Sequence, residues 1–244
     1  MAESATLVDR LDWRAICAQL DAEGYAVLPG LLGTDLAHGL ARGILERPAR
    51  NRELFACAKT GRGDCLHFDI GLPAPLQDLR VALYRRLAGL ANRWCEILGI
   101  GRRYPARLDD FARLNREAGQ GHAQFCVNRL GSGDAMPLHQ RGDGAWVFPM
   151  QVVALLSEPG EDFTGGEFVM TEQRPRMQSR VMVLPLGFGD AAIIATAARP
   201  FEGANGPYRV NTKHGISLVR RGQRIGMELS FHDAREKLAD LMCR

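Results

Sequence analysis

Four of the six histidines in this 244-residue chain, His122, His139, His214 and His232, fall among short extended runs from residue 122 onward. His139 stands just before a glycine-broken turn, Arg141-Gly142-Asp143-Gly144. His214 follows the run Tyr208–Thr212, and Arg224 lies on or just before the last run. Two histidines from distant stretches, brought together with one carboxylate, make the ligand set of non-haem Fe(II), which leaves metal positions open for a chelating cosubstrate and oxygen. An arginine on a neighbouring strand would hold the far carboxylate of that cosubstrate through a two-pronged, charge-assisted contact. The competing reading of each histidine is a packed or surface side chain, and of Arg224 a surface arginine beside Arg220 and Arg221.

Positioning such groups takes a rolled sheet. The runs Phe125–Leu130, Trp146–Leu156, Gly166–Met170, Val181–Leu184, Ala191–Thr196, Tyr208–Thr212, Ile216–Val219 and Ile225–His232 are separated by turn residues. That pattern predicts a β-sandwich or barrel rather than alternating βαβ units. Gly165-Gly166, Gly187–Asp190 and Gly203–Gly206 supply the turns, with Asp190 as a turn residue. Before them, Leu11 to about Gln120 reads mainly as helix. Leu79, Leu83, Leu87, Leu90, Trp94 and Leu98 recur at steps of four and three and predict a helix over Pro75–Leu98. Pro73 and Pro75 mark its start and Gly99–Gly101 its end. A shorter helix over Asp35–Glu46 and a strand over Tyr25–Leu28 are also expected. The expectation is one domain over 1–244: a helical support at 1–120, a β core at 121–234 and a tail at 235–244.

Composition sets outer limits. With 31 Lys+Arg against 28 Asp+Glu, a net charge of +3 and 46% hydrophobic residues, the chain has ordinary globular values. Collagen-like, disordered and membrane-spanning classes are set aside. Met1-Ala2-Glu3-Ser4-Ala5 has no secretory-signal pattern, so a cytoplasmic location is expected. Cys17, Cys57, Cys65, Cys95, Cys126 and Cys243 form no C-x-x-C pair, which favours reduced, mostly buried thiols over a zinc knuckle or disulfide framework. Lys59, Lys213 and Lys237 are the only lysines, so positive charge is nearly all arginine. That is either compositional bias or phosphate and carboxylate recognition. Between Glu172 and Arg224 nine basic residues face three acids, either a phosphate cradle with salt-dependent binding or a solvated basic face. No aromatic ladder for stacking single strands interleaves them.

The stretch 139–233 resembles a prokaryotic branch of the 2-oxoglutarate/Fe(II)-dependent dioxygenase superfamily. The residues that carry the resemblance are Phe148-Pro149-Met150-Gln151, Asp162-Phe163-Thr164-Gly165-Gly166-Glu167-Phe168, Arg174-Pro175-Arg176-Met177-Gln178-Ser179-Arg180, Tyr208-Arg209-Val210-Asn211, His214-Gly215-Ile216-Ser217 and Phe231-His232-Asp233-Ala234. Gly24-Tyr25-Ala26-Val27-Leu28-Pro29-Gly30, Ala91-Asn92-Arg93-Trp94 and Tyr104-Pro105 extend it over nearly the whole chain. That branch has been proposed to act in oxidative demethylation of damaged DNA bases.

The resemblance implies an α+β, mainly β fold: a double-stranded β-helix (jelly-roll) core on an α-helical N-terminal support. It implies Fe(II) and 2-oxoglutarate as cofactors and His139 and His214 as metal ligands. Arg224, ten positions after His214, matches the 2-oxoglutarate-binding arginine. The implied reaction consumes 2-oxoglutarate and O2, yields succinate and CO2, and hydroxylates a C–H bond of the substrate; at an N-methyl group, formaldehyde would leave. A DNA base, tRNA, a peptide side chain and a small metabolite all stay open as substrates, and oligomeric state is not indicated.

One position departs from the family pattern. Its first motif is His-x-Asp, and here it reads His139-Gln140-Arg141. On a strand, His139 and Arg141 share a face about 6.6 Å apart, which puts a permanent cation where the pattern has an anionic ligand. Three outcomes stand open. Asp143, of the same parity and flanked by Gly142 and Gly144, supplies the metal's carboxylate. Alternatively the two histidines bind iron alone, with water or an external anion in the third position. Or the roll is a non-catalytic protein that binds a small anion or nucleic acid, with Arg141 paired to Asp143 at the surface. Leu130, where the pattern has a tyrosine near the cosubstrate, is a second departure in the same pocket. Glu167 and Glu172 are expected as hydrogen-bonded structural acids. His232 and Asp233, as strand neighbours, face opposite sides and cannot serve one site.

Overall fold

A computed structural model describes residues 2–45, 51–57, 61–67 and 72–235. In chain order its elements are α1 (Ala2–Asp9), α2 (Trp13–Glu23), β1 (Tyr25–Leu28), α3 (Gly33–Leu45), β2 (Asn51–Cys57), β3 (Gly61–His67), α4 (Ala74–Ile97), α5 (Leu108–Glu117), β4 (Gln120–Gly131), β5 (Met136–His139), β6 (Met150–Leu155), β7 (Phe163–Gly165), β8 (Phe168–Gln173), β9 (Arg180–Leu184), β10 (Ala191–Ala195), β11 (Ala198–Gly203), β12 (Gly206–Ile216) and β13 (Val219–Arg235). The larger sheet runs β1-β10-β6-β13-β4-β3-β2, with β7 paired to β13; the smaller runs β11-β12-β8-β9, with β5 paired to β12. Every one of these pairings is antiparallel. This is the jelly-roll core the sequence led us to expect, with helices at its back.

Strand alternation divides the apolar residues between two cores. Val152 and Ala154 of β6, with Ala191, Ile193 and Ala195 of β10, pack outward against Leu79, Leu83, Leu87 and Trp94 of α4. Val153, Leu155, Ala192 and Ile194 point the other way, into the roll with Phe168, Met170 and Ile216 of the smaller sheet. Strands covered on both faces read as continuous apolar runs, which is why β6 and β10 show no polar alternation. In β13 the same geometry sorts by chemistry. Met227, Leu229 and Phe231 join the helix-covered core, so the alternate residues Arg224, Gly226, Glu228, Ser230 and His232 face the roll's interior. All five are buried.

Helix α4 matches the expected stripe, although Leu98 falls just past its end as the C-cap. Strand β1 has the bounds expected, and Asp190 acts as a turn residue, accepting from Gly187 N (2.8 Å) and Gly30 N (2.6 Å). Other boundaries differ. Ile216–Val219 is not one strand: β12 ends at Ile216 and β13 begins at Val219. His214 lies inside β12 rather than after it, and residues 140–149 carry no strand. Strands β2, β3, β5, β7 and β11 fall outside the expected runs, and the β2–β3 hairpin extends the larger sheet from the segment read as helical. Strands β5 and β11 contain Pro137 and Pro200, and each pairs only with β12. Proline breaks a strand pattern in sequence yet is tolerated where one strand edge stays unpaired. Beyond residue 235 the expected tail lies outside the described residues, as does Cys243; Cys17, Cys95 and Cys126 are free thiols.

The start of β13 depends on one glycine. Gly222 has φ +80°, and a Cβ there would sit 1.9 Å from Asp162 O, where β7 pairs. We expect Gly222→Ala to cost about 2 kcal/mol or more, read as a shifted midpoint in chemical denaturation; an unshifted midpoint contradicts the clash.

Candidate metal centre

His139 and His214 are direct register partners across β5 and β12. Pairing sets their rings side by side, with centroids 4.3 Å apart. From the facing sheet β13 presents Glu228, whose Oε2 lies 3.6 Å from Nε2 of each histidine. Ligand atoms of His139, His214 and Glu228 all fall within 4.8 Å of one another. Two imidazoles and one carboxylate are the donor set anticipated; the acid that stands beside the two rings is Glu228, and Asp143 lies outside this group.

Asp143 is exposed. With His139, Gln140, Arg209 and Lys213 it lines an outer cavity of about 310 Å³, outside the three-residue group. The reason is the end of β5 at His139. After it the loop runs through Gly142 and Gly144 (φ +128°), and Gln120 pins its far end by accepting from Trp146 N (2.8 Å). Arg141 does not pair with Asp143 at the surface either. Its Nε donates to Glu228 Oε2 at 2.7 Å, and its NH2 group donates to Cys126 Sγ at 3.0 Å.

Hydrogen bonds around the rings fix what each nitrogen offers. His139 Nδ1 lies 3.0 Å from Pro137 O, so it carries a proton and donates, which turns Nε2 toward Glu228. His214 Nε2 lies 3.1 Å from the amide nitrogen of Gln151, which donates to it. His214 is fully buried, stacked 5.8 Å from Phe168 at an interplanar angle of 11°. Burial, with His139 close by, pushes its pKa down to about 4, which keeps the imidazole neutral. Burial by itself raises the Glu228 carboxyl; Arg141 and the two histidines more than reverse this and hold it well below the usual carboxylate range.

The arrangement can bind a cation. Two ring nitrogens and a carboxylate converge, the donor set that a divalent metal takes. Glu228 Oε1 and His214 Nδ1 are buried without hydrogen-bond partners, as are Gln151 Oε1 and Ser230 Oγ. Gln151 and Ser230 are register partners across β6 and β13.

Arg224 sits farther along the inner face of β13. It is 2% exposed, and burial lowers its pKa to about 10 with Glu228 opposing the shift, so the guanidinium stays charged. Its Nε donates to Gly166 O (2.8 Å) and NH1 to Asn128 Oδ1 (2.9 Å). Leu130 is its register partner. Arg224 helps line a second cavity of about 360 Å³, with Phe163, Phe168 and Leu184 among its walls.

Sequence reasoning missed Glu228, although a signal was present. In Ile225–Phe231 the apolar residues occupy every odd position, which commits residue 228 to the opposite face. An acid committed to a buried face needs a cationic partner, and Arg141 is that partner. The basic surplus from Glu172 to Arg224 is partly internal: Arg174 and Arg199 pair with buried Glu172, and Arg224 is enclosed, while Arg180 pairs with Glu23 at the surface. Arg176, Arg209, Lys213, Arg220 and Arg221 remain exposed. Glu167 bonds Ser217, as a structural acid should. His232 and Asp233 do face apart: His232 reaches Arg141 O (3.0 Å), and Asp233 pairs with Arg80 (3.6 Å).

Comparison with known proteins places this geometry in context. Residues 63–234 match the Oxygenase-NA family, described as an oxygenase "catalysing oxidative methylation of damaged DNA". An uncharacterized protein of Mycobacterium tuberculosis strain H37Rv is 39% identical over 167 residues, 68% of this chain and 72% of that one. Among solved structures, a Pseudomonas putida prolyl-4-hydroxylase superposes with a TM-score of 0.54 at 14% identity, covering 92% of this chain and all of that one. A Burkholderia pseudomallei oxidoreductase of the 2OG-Fe(II) oxygenase family gives 0.52 at 18% identity, covering 93% and 94%. These structural likenesses establish a shared double-stranded β-helix fold. Among the described residues no helix is long and apolar enough to cross a membrane. The family match spans well over half the sequence, and the chain belongs to this oxygenase family.

Proposed function

We propose that the protein is a 2-oxoglutarate- and Fe(II)-dependent dioxygenase in which His139, His214 and Glu228 hold the metal and Arg224 anchors the cosubstrate. The observation that carries this reading is the convergence of two imidazoles on one buried carboxylate, the donor set of non-haem Fe(II). The unpartnered Glu228 Oε1 is an oxygen that a cation would satisfy. Bound there with 2-oxoglutarate, Fe(II) would supply the activation of O2, one oxygen atom going into succinate as CO2 leaves and the other into a C–H bond of the substrate.

The chain's own residues prepare that chemistry. The Nδ1 donation to Pro137 O holds the His139 ring with Nε2 toward the metal position. Phe168 covers His214, and the apolar interior of the roll keeps water from the reactive centre. Arg224 offers a fixed guanidinium two alternations along the same strand face from Glu228, for the distal carboxylate of 2-oxoglutarate. Arg209 and Lys213 place positive charge at the outer cavity beside His139, which suits a phosphate-bearing substrate. A base in damaged DNA, the family's described target, is the substrate class this favours, and binding to it would weaken as salt rises.

Incubation with Fe(II), 2-oxoglutarate and oxygen should form succinate, and His214→Ala should reduce it to background. A folded protein that forms none overturns the reading. One observation favours a second reading in that event, an anion-binding roll without turnover: Arg141 already neutralises the carboxylate that a metal would use.

A further inference from the structure

Arg141 is the cation that the metal centre already contains. Its guanidinium donates to Glu228 Oε2 (2.7 Å), the same oxygen that lies 3.6 Å from both imidazole nitrogens. The other oxygen, Oε1, is buried without a hydrogen-bond partner. Glu228 and Arg141 cancel as a pair, so an entering dication meets no net negative charge from the one carboxylate in the group. Arginine cannot lose its proton to relieve the conflict. It can move: its side chain is 14% exposed, Gly142 follows it, and exposed Asp143 stands two residues away.

Resting on the metal reading above, we propose that Arg141 is a resident counter-cation and positioning residue that competes with the metal for Glu228. In the metal-free protein it holds the buried carboxylate in place and spares it an uncompensated charge. When metal binds, Arg141 yields Oε2. Metal affinity is then the difference between two cations' claims on one carboxylate, and the departure from His-x-Asp becomes an exchangeable ligand guard.

The test pairs two readouts that move in opposite directions. Arg141→Gln should bind Co(II) about tenfold or more tighter than wild type, because one repelling charge is gone, while its metal-free form unfolds at lower denaturant. Arg141→Lys keeps the charge and should stay close to wild type in Co(II) affinity. A side chain that merely supports the fold would lower both affinity and stability when replaced. Equal or weaker Co(II) binding by folded Arg141→Gln therefore overturns the proposal while leaving the metal reading standing. No Co(II) binding by folded wild type and variant alike overturns both. Independently of any variant's folding, the Nε–H resonance of Arg141 in the wild-type protein should shift with one equivalent of Zn(II); an unmoved resonance in a Zn(II)-bound protein counts against the exchange.

Discussion

Glu228→Gln is expected to abolish stoichiometric metal binding and to destabilise the metal-free protein by about 3–5 kcal/mol. Both effects come from one buried carboxylate with two duties. Toward a metal it is the sole anionic donor in the group, and an amide offers a neutral oxygen in its place. Toward the fold it is the counter-charge of Arg141, whose Nε–H would be left facing a neutral group in an interior where neither residue is well hydrated. The cost therefore falls on either single replacement. Glu228→Leu combined with Arg141→Met, which removes both charges and keeps the bulk, should cost clearly less than the two single losses added together. Equilibrium denaturation of wild type, Glu228→Gln, Glu228→Leu, Arg141→Met and the double variant, with Co(II) titration of each that folds, reads both predictions. Additive losses would mean that the 2.7 Å contact carries little coupling, and stoichiometric metal in Glu228→Gln would show that the acid is not a ligand.

The residues that sequence reasoning found and those it missed differ in a physical way. His139, His214 and Arg224 come from segments whose local pattern matches a known one, and the structure sets the two histidines in direct register. Parity also forecast that Arg141 would turn toward the same place as His139, although β5 ends before it. The acid was sought nearby because Asp143 shares that parity, but parity holds only while a strand continues, and the glycines carry the chain outward. Glu228 lies 87 residues from its partner Arg141, and only the β13 crossing between β4 and β6 brings them together. A pairing of that range is invisible to any local window. What was legible is the alternation within β13, which fixes the face without naming the partner. Edge strands were lost for a related reason: β5 and β11 owe their extended form to β12 rather than to their own proline-bearing sequences.

Acidification tests the other fully buried histidine, His232 on β13. His232 is fully buried, with Nδ1 accepting from Phe148 N (3.3 Å) and Nε2 donating to Arg141 O (3.0 Å). Both bonds belong to the neutral ring, and protonation at Nδ1 would break the first. Burial accordingly lowers its pKa from 6.5 to about 4, against the opposing pull of the Arg141 carbonyl. The sign follows from which state takes the proton first. Below pH 6.5 the unfolded chain protonates this histidine while the folded chain does not, so stability falls as pH drops, and the loss is complete near pH 4. The full difference amounts to about 3 kcal/mol. His214 adds a loss of the same sign in the metal-free protein. Asp233 works the other way, because burial raises its carboxyl and the folded state then gains from the proton. His232→Asn isolates the contribution: its side-chain oxygen can still accept from Phe148 N, but it has no proton to gain in this range. Metal-free wild type should lose stability between pH 6.5 and about 4 more steeply than His232→Asn, by that same 3 kcal/mol or so. Parallel curves for the two proteins would remove His232 as the source, and the fully buried ring would then have to be carrying a proton in the folded state.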